Sequence, residues 1–111
     1  MMRQVVRTAK QYIDKNFASI KRIQSVPKAL SLPYEPLRKA FAREKGLPMQ
    51  QYLEEVRVEA AKQKLLENKK LYAVAREVGY TSETILIKHF KKITGMTPRQ
   101  YSRLFKDDDP R

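Results

Sequence analysis

Residues 74–90 read VAREVGYTSETILIKHF. Val74, Ala75 and Val78 share one helical face, Gly79 interrupts the run, and an amphipathic stretch follows with Ile85, Leu86 and Phe90 inward. Short helix, turn, longer helix is a compact supersecondary unit. Working outward, FKKITGMTPRQY at 90–101 has a counterpart in FAREKGLPMQQY at 41–52. Phe, Gly, Gln and Tyr recur at one offset, since 90 − 41, 95 − 46, 100 − 51 and 101 − 52 all equal 49. A repeat in so short a chain marks two copies of one small unit. The copies fall at about 26–45 and about 72–94.

The rest of the chain also reads as helix. The spacing of Val5, Val6, Ala9, Tyr12, Ile13 and Phe17 predicts a first helix over about 3–17. A short second helix is expected near 26–30. A third is expected over about 34–45, with Leu37, Ala40 and Phe41 inward. A long fourth over about 49–67 carries Tyr52, Leu53, Val56, Ala60, Leu65 and Leu66 as its stripe. The fifth, sixth and seventh fall at about 72–78, 82–94 and 98–105. Gly46, Gly79 and Gly95 each follow a helical pattern and read as C-caps or turns. Ser82 reads as an N-cap, and Thr97-Pro98 places proline at the first position of the last helix. No alternating strand-like segment occurs. The expected fold is therefore all-α: seven helices in two tandem helix-turn-helix subdomains joined by a long linker helix. The expected division is 1–48 for the first subdomain, 49–67 for the linker helix and 68–106 for the second. Residues 107–111 read as a disordered tail without an apolar anchor.

Composition narrows the function. Among 111 residues, 24 Lys and Arg face 12 Asp and Glu, a net charge of +12. Such an excess favours a polyanionic partner, nucleic acid or an anionic membrane face. The hydrophobic share of 41% supports a folded domain over a basic tail. No cysteine occurs, which excludes disulfides and Cys-ligated zinc. No apolar run approaches a membrane span of about 20 residues, and MMRQVVRTAK lacks a signal-peptide core. No membrane partner is expected. The basic residues are spread over several helices rather than one face, and no RNA-binding motif occurs.

In a helix-turn-helix the second helix enters the DNA major groove. A helix of about 20 residues is about 30 Å long, and one groove face recurs about every 34 Å. A rigid linker helix would therefore hold two reading heads about one DNA turn apart. Duplication would then replace dimerisation, a monomer would suffice, and the site need not be palindromic.

The stretch LYAVAREVGYTSETILIKHFKKITGMTPRQYSR at 71–103 resembles the signature of the AraC/XylS family of bacterial transcription activators. That signature is a short helix, V-G-[FY], a polar cap, a recognition helix ending in F-K, then G-x-[TS]-P-x-x-[YF]-R. Residues 26–67 are similar to the family's first helix-turn-helix and linker. The turn is one residue longer in the second copy, as in the family: 41 − 30 is 11 and 90 − 78 is 12. The resemblance implies a seven-helix DNA-binding domain, sequence-specific regulation of promoters, contact with RNA polymerase, and a cytoplasmic, nucleoid-associated location in bacteria. The chain resembles small stand-alone members, or the C-terminal piece of a longer regulator. The first copy departs from the pattern. Ser31 stands at the usual turn glycine. Pro27 lies within the short helix, where an interior proline costs about 3 kcal/mol outside the first turn, so Ser25 is expected to cap a shortened helix. Pro33 and Pro36 flank the next helix start. The first head is expected to read DNA weakly, or mainly to grip phosphate. A weakly specific DNA-architectural protein is the alternative function.

Carried over from the resemblance, the base-reading candidates are Glu35, Arg38 and Lys39 in the first head and Glu83, Thr84, Ile87 and Lys88 in the second. Arg38 is suited to fork onto guanine, Ile87 to touch a thymine methyl, and Glu35 and Glu83 to accept from cytosine or repel phosphate. Lys88 stands where the family commonly has Arg. Expected phosphate contacts are Lys21, Arg22, Lys69, Lys70, Lys91, Lys92 and Arg99. The plain alternative for each is a solvated surface side chain. His89 is the single histidine and has no cysteine beside it, so neither catalysis nor a metal is expected. Tyr12, Tyr52, Tyr80 and Tyr101 fit apolar stripes. No phosphate-cradling glycine motif occurs. The chain reads as no enzyme and needs no cofactor.

Overall fold

The computed structural model describes residues 2–106. Helix α1 spans Met2–Asn16 and runs into a 3-10 turn at Phe17–Ser19; α2 spans Ser25–Ala29, α3 Tyr34–Lys45 and α4 Met49–Leu65. Then follow α5 at Leu71–Val78, α6 at Glu83–Thr94 and α7 at Pro98–Phe105. No strand occurs among the described residues. The fold is all-helical, as expected. The chain divides into two compact units, Met1–Val56 and Arg57–Arg111, and α4 contributes to both. The tail expected at 107–111 lies outside the described residues.

In the first unit, α1 packs on α2 and α3. Val6, Ala9 and Ile13 supply the α1 stripe; Val26, Leu37, Ala40, Phe41, Met49 and Leu53 meet it. Tyr52 sets its ring edge-on to Phe41, centroids 5.6 Å apart, and donates its hydroxyl to Asp14 Oδ1. Lys10 Nζ holds the other Asp14 oxygen at 2.9 Å. Burial, with the Asp14 bond behind it, pushes the Tyr52 hydroxyl pKa up.

In the second unit, Val58, Ala61 and Leu65 of α4 are buried, as are Val74, Ala75 and Val78 of α5 and Leu86 and Phe90 of α6. Helix α7 packs on α6, with the Tyr101 ring edge-on to Phe90 at 5.5 Å. Its start is a capping box: Thr97 accepts from Gln100 N, and the Gln100 side chain accepts from Thr97 N. Ser82 caps α6 by accepting from Ile85 N at 3.4 Å.

Four local expectations need correction. The stripe of α4 is not the one anticipated: Val58 and Ala61 are buried, whereas Ala60 is only half-buried. A helix that serves two cores carries two stripes, and a single face does not describe it. Helix α4 also ends at Leu65 rather than 67. Leu66 and Glu67 close back three residues, and Asn68 turns the chain at φ 65°. Ser25 does not cap α2: it is the first helical residue, and its hydroxyl donates to Arg22 O at 2.6 Å. Pro27 then falls third, inside the first turn, where no intrahelical donor is lost. Ile85 stands 40% exposed, because the inward stripe of α6 is Leu86 and Phe90 alone.

The turn after α5 is built around Gly79. Its φ is +110°, and the guanidinium of Arg57 lies against it: a Cβ there would meet Arg57 Nε at 2.8 Å. Arg57 is 8% exposed and lies over the Tyr80 ring, 5.2 Å from its centroid. The Tyr80 hydroxyl in turn meets His89 Nδ1 of α6 at 2.8 Å. His89 is thus a half-buried packing residue that ties α6 to the turn. In the first unit the corresponding turn holds Ser31 at φ 57°, a conformation that glycine adopts more readily.

Candidate nucleic-acid interface

The second helices of the two helix-turn-helix units are α3 and α6. Each begins after an extended residue, Pro33 or Ser82, and ends on a left-handed glycine, Gly46 or Gly95. Ser82 caps the start of α6 by a side-chain bond, whereas α3 starts at Pro33 without one. On α3, Leu37 and Phe41 are buried while Glu35 and Lys39 are exposed and Arg38 is half-exposed. On α6, Leu86 and Phe90 are buried; Glu83, Thr84 and Lys88 are exposed, and Ile87 is half-buried. Each helix therefore carries its base-reading candidates on the face away from its own core.

The repeat places these candidates in register. Offsets of 84 − 35, 87 − 38 and 88 − 39 all equal 49, the offset of Leu37 to Leu86 and Phe41 to Phe90. Glu35, Arg38 and Lys39 thus correspond to Thr84, Ile87 and Lys88. Upstream of the longer turn the offset is 48: Val26 to Val74, and Lys21-Arg22 to Lys69-Lys70. A basic pair therefore precedes the first helix of the motif in both units. All four side chains are exposed.

The phosphate candidates are not equivalent. Lys69 shares Glu77 with Lys64, at 3.6 and 3.0 Å. The Lys64 hydrogen bond, aided by the Lys69 charge, holds the Glu77 carboxyl below its ordinary pKa. Lys69 and Arg99, far apart in sequence, line one cleft of the second unit. Arg103 and Lys106 join them there, and sequence reasoning missed both. Their sequence signal was only that they are cations on or beside the last helix. Lys21 and Arg22 line a smaller groove with Lys28, also missed. Lys91 and Lys92 are exposed in the last turn of α6.

Arg38 is not free. Its Nε lies 3.2 Å from both Glu35 oxygens and its Nη2 lies 2.9 Å from Oε1. That hydrogen bond raises the Arg38 pKa and, with help from the Arg38 and Lys39 charges, lowers that of Glu35. Among the described residues, no group of three metal-ligating side chains could hold an ion, and no helix is long and apolar enough to cross a membrane.

Comparison with known proteins agrees with the all-helical fold. The helix-turn-helix domain family matches residues 26–104. The chain is 34% identical over 101 residues to the bifunctional transcriptional activator/DNA repair enzyme AdaA of Bacillus subtilis, covering 89% of this chain and 47% of that protein. It is 33% identical to an HTH-type transcriptional regulator in the cgkA 5′ region of Pseudoalteromonas carrageenovora, covering 91% of this chain and 60% of the relative. It thus spans about half the length of these curated relatives. The C-terminal domain of AraT, a response regulator from Geobacillus stearothermophilus, superimposes with a TM-score of 0.90 at 30% identity, covering 96% of this chain and 90% of that one. The chain belongs to the AraC family of helix-turn-helix DNA-binding transcription regulators.

Proposed function

We propose that this domain binds promoter DNA sequence-specifically, inserting α3 and α6 into successive major grooves, and that it activates transcription. The observation that carries the reading is the duplication: one helix-turn-helix, built twice, with the candidate readers at matching positions. Base contacts fall to Glu35, Arg38 and Lys39 and to Glu83, Thr84, Ile87 and Lys88. Phosphate contacts fall to Lys21, Arg22, Lys69, Lys70, Lys91, Lys92 and Arg99, with the net charge of +12 steering approach. The functional division is 1–48, 49–67 and 68–106. Two heads in one chain make a monomer sufficient. Activation, through contact with RNA polymerase, is supported by the name of the AdaA relative. A cytoplasmic, nucleoid-associated location follows from the same role.

The test is selection from a randomised duplex library at near-physiological salt, followed by sequencing of the bound pool. The expected result is an asymmetric two-box motif with boxes about one helical turn apart. A single box would limit base reading to one head. Tight, salt-sensitive binding without enrichment would refute the reading and assign an architectural role. Transcription from a bound promoter that is unchanged by the protein would refute activation.

A further inference from the structure

We propose that Glu35 is a positioning residue for Arg38: it grips one edge of the guanidinium and presents the other to a guanine, making the first unit a reader of a G·C pair. The inference rests on the sequence-specific reading above. A guanidinium has five N–H donors in a fixed plane. Glu35 occupies the Nε–Nη2 edge, with contacts of 3.2, 3.2 and 2.9 Å. The second Nη2 proton and both Nη1 protons remain, and that Nη2 proton with the Nη1 proton beside it forms the fork that matches guanine O6 and N7.

The latch is local and follows from the sequence. Glu35 and Arg38 are three apart on α3, a spacing that brings side chains together on one helix face. Glu35 sits in the first turn, where the helix dipole favours a carboxylate. A long arginine loses rotamer freedom when DNA orders it; an arginine already held loses less. Glu35, paired in this way, presents little net negative charge to phosphate.

The second unit has no such device. The positions in register with Glu35 and Arg38 are Thr84 and Ile87, which can neither latch nor fork. The two heads are therefore built to recognise different chemistry: a guanine edge for α3, a methyl group for Ile87.

The test uses the 111-residue chain, its E35Q and R38A variants, and the duplex that library selection yields. Affinity is titrated against four duplexes that differ only at the base pair R38A makes indifferent. Wild type is expected to prefer guanine there by roughly tenfold or more. E35Q keeps Arg38 and is expected to lose several-fold of that preference while the domain stays folded, with at most a small drop in melting temperature. E35Q that keeps the wild-type preference overturns the inference. So does E35Q that weakens, or tightens, binding to all duplexes alike. If wild type selects a motif that R38A leaves intact, the inference fails alone. If wild type selects no motif, the sequence-specific reading fails and takes the inference with it.

Discussion

Replacing Gly79 with alanine should destabilise the second unit more than any other glycine substitution in the chain. Two costs combine. The first is backbone strain: an L-residue at positive φ costs about 1–2 kcal/mol, and the +110° here is far from the left-handed minimum. The second is steric. An alanine Cβ would lie 2.8, 2.9 and 3.0 Å from Arg57 Nε, Nη2 and Cζ, inside ordinary contact distance. Arg57 is 8% exposed and lies over Tyr80, so withdrawing it disturbs a partly desolvated cation–π contact, about 0.5–2 kcal/mol. The sum is about 1.5–4 kcal/mol, a large share of the stability of a small domain. Gly95→Ala, in the same unit, is the control. Its φ is +84° and nothing lies within 4 Å of the added carbon, so it carries strain alone. The assay is urea unfolding by far-ultraviolet circular dichroism and tyrosine fluorescence, the chain having no tryptophan. Arg57→Ala completes a double-mutant cycle, and Gly79→Ala should cost less on that background. Equal losses for Gly79→Ala and Gly95→Ala, or a cycle that sums to zero, would refute the steric argument.

Three further outcomes are expected. Ser31→Gly relieves a φ of 57° and should raise stability by about 0.5–1 kcal/mol, read as a higher urea midpoint; a lower midpoint would show that Ser31 contributes more than its backbone costs. Thr97→Ala removes the hydroxyl half of the α7 capping box and should cost about 1 kcal/mol by the same assay, whereas an unchanged midpoint would make the box inconsequential. Glu77 has a folded pKa below its unfolded value near 4.5. Its ion pairs therefore add stability above that pH, and this is lost as pH falls through the depressed value. Glu77→Gln should accordingly flatten the acid limb of stability against pH; superimposable limbs would show that Lys64 and Lys69 do not hold the carboxylate in solution.

Much of this fold was legible because its signals are local. Gly46, Gly79 and Gly95 each follow an amphipathic run, and each is a left-handed cap at a helix end. Thr97-Pro98 marked the start of α7 to the residue. The failures arose where a neighbour, not the local pattern, decides. Whether Ala60 or Ala61 is buried depends on which core α4 faces at that point, and periodicity within one helix carries no such information. Ile85 looked inward because it is apolar, but two side chains four apart already fill the inner face of α6. The candidate site divides in the same way. Helical spacing alone puts Glu35, Lys39, Thr84 and Lys88 on an outer face. That Lys69 and Arg99 share a cleft with Arg103 and Lys106 is a tertiary fact, since it needs α7 placed against the end of α4.

Duplication explains why α3 and α6 are comparable, and it also isolates what differs between them. At one offset two core positions keep their residues, Leu37 with Leu86 and Phe41 with Phe90, while buried Ala40 gives way to half-buried His89. At the same offset two of the three outward positions change chemical class: a carboxylate becomes a threonine, and a guanidinium becomes an isoleucine. Packing constrains the first set, because exchanging a buried leucine or phenylalanine for another shape opens a cavity or creates strain. Packing holds the second set less tightly, since Glu35, Lys39, Thr84 and Lys88 are exposed and Arg38 and Ile87 only half-buried. Divergence at two of three outward positions is what two heads reading different base pairs would require. A domain that gripped phosphate alone would have no use for Ile87 there, since an aliphatic side chain offers a phosphate nothing.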